Sequence, residues 1–263
     1  MSDTVAVWNA RAGAYDVLCG RWPLFTEMAD DLLDAVPGDA RHLVDLAGGT
    51  GLVSARILAA RPACRVTLVE PATAMIQRAQ SHLGSQVSYV KATAVDLAGV
   101  TGPVDAVVCN AAMHLLDESP VFAAVSALLE PGGLFVFNLW WHSVAELSHD
   151  VDDRWWETVL ADEIVAAGFR PPTEAPKSAR RLRTRDGMTA LAARHGFETC
   201  VFESGAVEAT RELFVDFWEM NDAWLSDLGP AKKEVVARIR ARCTGAVSLP
   251  FLRVVAQRRR RAD

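Results

Sequence analysis

Three glycines in four positions, Gly48, Gly49 and Gly51, follow a short apolar run, residues 43–46, that is interrupted only by Asp45. Glycine lets the backbone take positive φ there and lets a ligand approach main-chain N–H groups that a side chain would shield. Leu52 to Ala60 then has the composition of a helix, so the order is strand, glycine turn, helix. That order makes a ligand cradle, and Asp45 decides the charge it accepts. A pyrophosphate would meet a carboxylate at close range, which opposes the preference of a helix N-terminus for anions. The dinucleotide pattern G-x-G-x-x-G also fails, because Ser54 stands where its third glycine belongs. A ligand carrying an ammonium group suits Asp45, directly or through water.

A second acidic residue, Glu70, closes the next apolar run, Val66 to Val69, where a carboxylate can accept from the hydroxyls of a ribose. S-adenosylmethionine offers an ammonium, a sulfonium and a ribose, and no phosphate. The stretch Val44 to Gly51, followed by Glu70, resembles the opening motifs of class I S-adenosylmethionine-dependent methyltransferases. The resemblance implies that Asp45, Ala47, Gly49 and Gly51 hold the cofactor's amino-acid end, that Glu70 holds the ribose, and that Met75 packs on the adenine. The family usually has an acidic residue where this sequence has Thr93, so the backbone of Ala94, or Asp96, takes over that contact. Asn110 would line the same site from the end of the apolar run Val104 to Asn110, and Tyr15 would close it from an N-terminal lid. The segment Ala112 to Asp117 resembles that of small-molecule enzymes of the ubiquinone-biosynthesis group. An Asn-Pro-Pro-aromatic motif and a Pro-Cys nucleophile are both absent there, which disfavours adenine, glutamine and cytosine as targets.

Methyl transfer from a sulfonium needs little more than alignment, so no catalytic motif is required. Where the acceptor must lose a proton, a histidine beyond the strand ends is the natural base. His142 falls three residues past Leu139 and His114 four past Asn110, and these are the catalytic candidates. All eight tryptophans lie outside residues 23–139. Trp140, Trp141, Trp155 and Trp8 are therefore assigned to an acceptor pocket for a flat or apolar molecule, with packing of the cap's own core, or a homodimer contact, as their other use.

The elements that must position these groups alternate strand and helix, which implies an α/β, doubly wound, mostly parallel Rossmann-like seven-stranded sheet. Strands are expected at 42–46, 65–69, 86–90, 104–110, 134–139, 199–203 and 251–256, and helices at 24–36, 52–60, 119–129, 152–167, 211–225 and 231–243, with one more beginning at 71 and another ending near 196. The single domain, 1–263, divides into a helical lid (1–36), a cofactor-binding half (37–139) and cap or substrate elements (140–190 and 205–245).

With 263 residues, 51% of them apolar and 23% charged, the chain can bury one full core, and no apolar run reaches the roughly 20 residues of a membrane span. The start lacks the features of a signal peptide, so a cytoplasmic protein is expected. A net charge of −6 argues against nucleic-acid binding, and five scattered cysteines point neither to disulfides nor to a metal site. Arg180, Arg181, Arg183 and Arg185 form a basic cluster, read either as a solvated loop or as a grip for an anionic group on the acceptor. The expected function is methyl transfer from S-adenosylmethionine to a small apolar or aromatic metabolite of secondary metabolism, at oxygen, carbon or nitrogen. Its alternatives are a non-methylating rearrangement on the same fold and a nicotinamide-dependent oxidoreductase.

Overall fold

The computed structural model describes residues 2–148, 155–169, 182–221 and 226–260. Seven strands form one sheet: β1 (His42–Leu46), β2 (Arg65–Val69), β3 (Val87–Val90), β4 (Val104–Cys109), β5 (Leu129–Trp140), β6 (Phe197–Thr210) and β7 (Ala246–Arg258). Their order is β3-β2-β1-β4-β5-β7-β6. Strands β1 to β5 pair in parallel, and β7 runs antiparallel to both β5 and β6. All five residues of β1 are buried, as a strand covered on both faces requires.

Nine helices surround the sheet among the described residues: α1 (Ser2–Arg21), α2 (Leu24–Asp34), α3 (Leu52–Ala60), α4 (Thr73–Leu83), α5 (Glu118–Leu128), α6 (Trp155–Ala166), α7 (Arg185–Arg194), α8 (Glu212–Asn221) and α9 (Lys232–Arg242). Pro23 caps α2, where its fixed φ suits a helix start. Leu24, Phe25, Met28, Ala29, Leu32 and Leu33 of α2 are all buried, so this helix is part of the core and only α1 remains as the lid expected over 1–36.

β7 starts at Ala246, five residues before the expected 251, and two further boundaries differ for identifiable reasons. β5 begins at Leu129 because Val104 pairs with Leu129 and Ala106 with Leu134; the Pro131-Gly132-Gly133 turn is looped out inside one strand. β6 does not stop at Glu203. It continues through Gly205 to Thr210, paired with β7 along its length, so residues 205–210 are sheet and not cap. A Cβ on Gly205 would lie 2.5 Å from Phe251 Cζ. The glycine makes room for that buried ring, and the strand passes through it. Helices α6, α8 and α9, in the region expected to form the cap, share a small core of their own, Ile164, Val215, Leu228, Val235, Val236 and Ile239.

Candidate functional site

The turn after β1 is shaped by strain and by contact. Ala47 has φ 55°, Gly49 φ 54° and Gly51 φ 90°. Gly48 needs no unusual φ, yet a Cβ there would sit 2.8 Å from Asp45 Cγ and 2.7 Å from Leu68 Cγ. This packs the carboxylate of Asp45 directly under the turn.

Asp45 is 1% exposed. Its Oδ2 accepts from the N–H of Ser54 at 3.0 Å and from Ser54 Oγ at 2.7 Å. Its Oδ1 is buried with no partner. Burial pushes the group up to about 6, against the pull of both Ser54 bonds. Ser54 therefore does more than break the dinucleotide pattern, since it anchors Asp45 and leaves one oxygen for something else. A cavity of about 30 Å³ borders that carboxylate, lined by Tyr15, Phe25, Ala47, Gly48, Gly49 and Asn110 among others. It has room for a water-sized group.

Glu70, at the end of β2, faces the same turn. Its Oε2 accepts from Gly49 N–H at 3.2 Å and its Oε1 from Ala72 N–H at 2.8 Å. Each oxygen retains a second lone pair. Burial raises its pKa, opposed by those two bonds, with Asp45 raising it further. Met75 is buried in a cluster with Ala72 and Ala12, against which Trp8 and Tyr15 pack. Trp8 meets Tyr15 edge-to-face at 5.4 Å and also packs against the core cluster that holds Trp140 and Trp141. Ala94 is buried in the main core beside Val69 and Leu97, behind the turn that Asp96 N–H closes on Thr93.

Asn110 donates to the carbonyl of Phe25 at 3.2 Å and accepts from Asn138 Nδ2 at 2.6 Å. Asn138, fully buried, also accepts from Ala111 N–H at 2.6 Å, and Ala111 has φ 50°. Sequence reasoning missed Asn138; the available signal was one amide inside the apolar strand Leu134 to Trp140. It fixes the bend at which β4 hands the chain to the site.

The two candidate histidines come together. Each sits in a 3₁₀ turn just beyond a strand, Met113–Leu115 after β4 and Trp141–Ser143 after β5. Their rings meet edge-to-face at 5.4 Å, with Trp141 5.2 Å from His142. Trp140 and Trp141 are both buried, Trp140 against Phe25 at 6.5 Å and Trp141 against Phe214 at 6.5 Å. Trp155 opens α6, and its side chain lies outside the described residues. Arg180 and Arg181 of the basic cluster lie outside them too. Arg183 forms an ion pair with Glu118, and Arg185 donates to Ser204 Oγ at 3.0 Å. No group of metal-binding side chains is present among the described residues.

A sheet of this order with one reversed strand, carrying acidic residues at the glycine turn and at the end of β2, is the Rossmann-like fold that class I methyltransferases share. Residues 43–133 match the family model described as a methyltransferase domain. A ubiquinone/menaquinone biosynthesis C-methyltransferase of Rubrivivax gelatinosus is 32% identical over 103 residues, which are 39% of this chain and 40% of that protein. The chain thus matches less than half the length of this curated relative. Among solved structures, the YcgJ protein of Bacillus subtilis has a TM-score of 0.57 at 14% identity, covering 89% of this chain and 98% of its own. Phosphoethanolamine N-methyltransferase 2 of Haemonchus contortus, solved with S-adenosyl-L-methionine, has a TM-score of 0.56 at 15% identity over 95% of this chain and 57% of its own. At these identities the structural likeness is one of fold.

Proposed function

We propose that this chain transfers a methyl group from S-adenosylmethionine to a small acceptor with apolar or aromatic surface. The observation that carries the cofactor reading is Asp45 Oδ1, a buried carboxylate oxygen without a partner that borders the cavity at the glycine turn. An uncompensated buried acceptor is costly, and an ammonium group would satisfy it. Glu70 would take the ribose hydroxyls on its second lone pairs, and Met75 and Ala94 would flank the adenine. Bound there, the cofactor supplies an already activated methyl, and the protein's task is to align the acceptor. Orientation of that kind contributes roughly 7–11 kcal/mol.

The acceptor reading rests on the rings beyond β5. Trp140, Trp141, Phe25, Phe214 and Phe217 form a chain of edge-to-face contacts next to His142. Such a surface favours a flat or apolar molecule. His142 or His114 then removes the proton when the nucleophile is a phenol, enol or alcohol, a contribution of roughly 10²–10⁴-fold.

Calorimetric titration with S-adenosylmethionine and, separately, NAD tests the cofactor. Binding of the first alone is expected, and preference for NAD would overturn the reading. Glu70→Ala should weaken S-adenosylmethionine by roughly 1.5–3 kcal/mol, about 10- to 150-fold, as expected for hydrogen bonds at a charged group. Formation of S-adenosylhomocysteine with labelled methyl in a panel of quinol, phenol and isoprenoid acceptors tests the transfer. A product that forms without release of S-adenosylhomocysteine would point to rearrangement chemistry instead.

A further inference from the structure

The geometry points to Arg183 as a positioning residue that holds His114 and His142 together, an inference that rests on the reading of these histidines as serving the acceptor. The two rings belong to loops that leave different strands, and neighbouring parallel strands do not by themselves bring the loops beyond them into ring contact. Arg183 joins those loops. Its backbone N–H donates to the Ser143 carbonyl at 3.0 Å, its carbonyl accepts from Ala145 N–H at 2.8 Å, and it pairs in parallel with Val144. That grips the chain immediately after His142. Its side chain turns to the other loop, where Nε donates to Glu118 Oε1 and Nη2 lies 3.5 Å from the His114 carbonyl. Glu118 stands in the first turn of α5, directly after the His114 segment. Backbone on one histidine loop and guanidinium on the other make Arg183 the tie between them.

The burial of the pair supports a role beyond stability. The side chains of Arg183 and Glu118 are only 10% and 6% exposed. Taking both charges out of water costs about as much as their attraction returns, and an apolar pair of similar volume would serve the fold as well or better. What an apolar pair cannot do is reach the His114 carbonyl with a directed donor. Arginine's planar fork offers several donors at fixed angles, so one guanidinium can serve a carboxylate and a carbonyl together. The cluster Arg180, Arg181, Arg183, Arg185 therefore does not present Arg183 to an anionic acceptor; this arginine is spent inside the site.

The test reads the histidines directly and needs no acceptor. In the full chain with S-adenosylmethionine bound, histidine ring resonances are assigned with His114→Ala and His142→Ala, and the through-space cross-peak between the two rings is measured. It should be present in the wild type, retained in Arg183→Lys, and lost in Arg183→Met while the affinity for S-adenosylmethionine stays within about twofold. Because Arg183→Met leaves Glu118 buried and unpaired, the double variant Arg183→Met, Glu118→Leu provides the same reading without a stranded charge. A ring-to-ring cross-peak that survives in the double variant would overturn the proposal. With an acceptor from the panel, kcat should fall tenfold or more in the double variant at unchanged cofactor KM, and that loss should vanish in a His142→Ala, His114→Ala background. A full loss in that background means Arg183 acts otherwise and also overturns it. If both single histidine variants turn over like the wild type, the base reading fails, and the cross-peak still decides the positioning claim.

Discussion

Asp45 is ionised only against resistance. Burial lifts its pKa from an ordinary carboxylate value to about 6, and Ser54 recovers only part of the lost solvation. In the unfolded chain the group ionises near pH 4, so between about pH 4 and 6 the folded protein holds a proton that the unfolded one has lost. Stability must then fall as pH rises through that window and level off above it, the reverse of a salt-bridged aspartate; the span is on the order of 3 kcal/mol. Glu70, also raised by burial, adds to the same direction. An ammonium partner favours the ionised form, so cofactor binding should release a proton below about pH 6 and tighten as pH rises to about that value. Asp45→Asn should flatten both profiles, measured by denaturant unfolding and by calorimetry in buffers of different ionisation enthalpy. Binding that is independent of pH would separate Asp45 from the ammonium. At this scale the sequence was readable where chemistry and backbone coincide: Asp45, Glu70 and the glycines are informative because few residue types fit those positions. Ser54 and Asn138 were not, since their work depends on which neighbour the fold brings within 3 Å.

At the level of elements, the parallel strands are legible as short apolar runs because they are covered on both faces. The outer pair is harder. β6 is buried only at Phe197 and Val207 and carries Glu203, Ser204 and Gly205 in its middle, so its far half has the composition of a loop. Its length comes from thirteen paired positions with β7, which no local pattern announces. The void at Gly205 for Phe251 gives this pairing a test. A methyl at that position must displace a buried ring, and overpacking of this kind costs about 1–3 kcal/mol. Gly205→Ala should lower the melting temperature accordingly, and Phe251→Leu should be less harmful in that background than alone. Simple additivity of the two changes would mean that ring and glycine do not compete for the same space. The helix α2 teaches a similar lesson: an amphipathic run after a lid segment reads as more lid, until its apolar face is found against the sheet.

Across the whole molecule, α1 connects the cofactor side to the cap. On one flank Asn9 Oδ1 accepts from Ala74 N–H at 2.9 Å, capping α4, and Asp16 meets His82 at 3.1 Å. On the other, the end of α1 is held by Asp216 of α8: Arg21 Nη1 donates at 3.2 Å and Trp22 Nε1 at 2.7 Å. Arg240 of α9 closes on the same carboxylate at 2.8 Å. Between these anchors Tyr15 lies over Gly49 beside the cavity of about 30 Å³ at Asp45, so lifting α1 would widen that cavity for a larger ligand. Lifting it breaks the bonds to Asp216. Arg21 is largely exposed and its ion pair is screened, so most of the hold comes from the Trp22 bond to a carboxylate that is 9% exposed, worth roughly 1.5–3 kcal/mol. Asp216→Ala, which removes the acceptor altogether, should therefore raise the open fraction of α1 by about 10- to 150-fold, read as faster amide hydrogen exchange across residues 2–21 of the ligand-free protein with β1 and β4 still protected. Cofactor association and dissociation should both accelerate, so the rates change more than the affinity. Exchange in α1 that matches the wild type would mean that Tyr15 and the α4 contacts, and not the clamp to the cap, keep the lid shut.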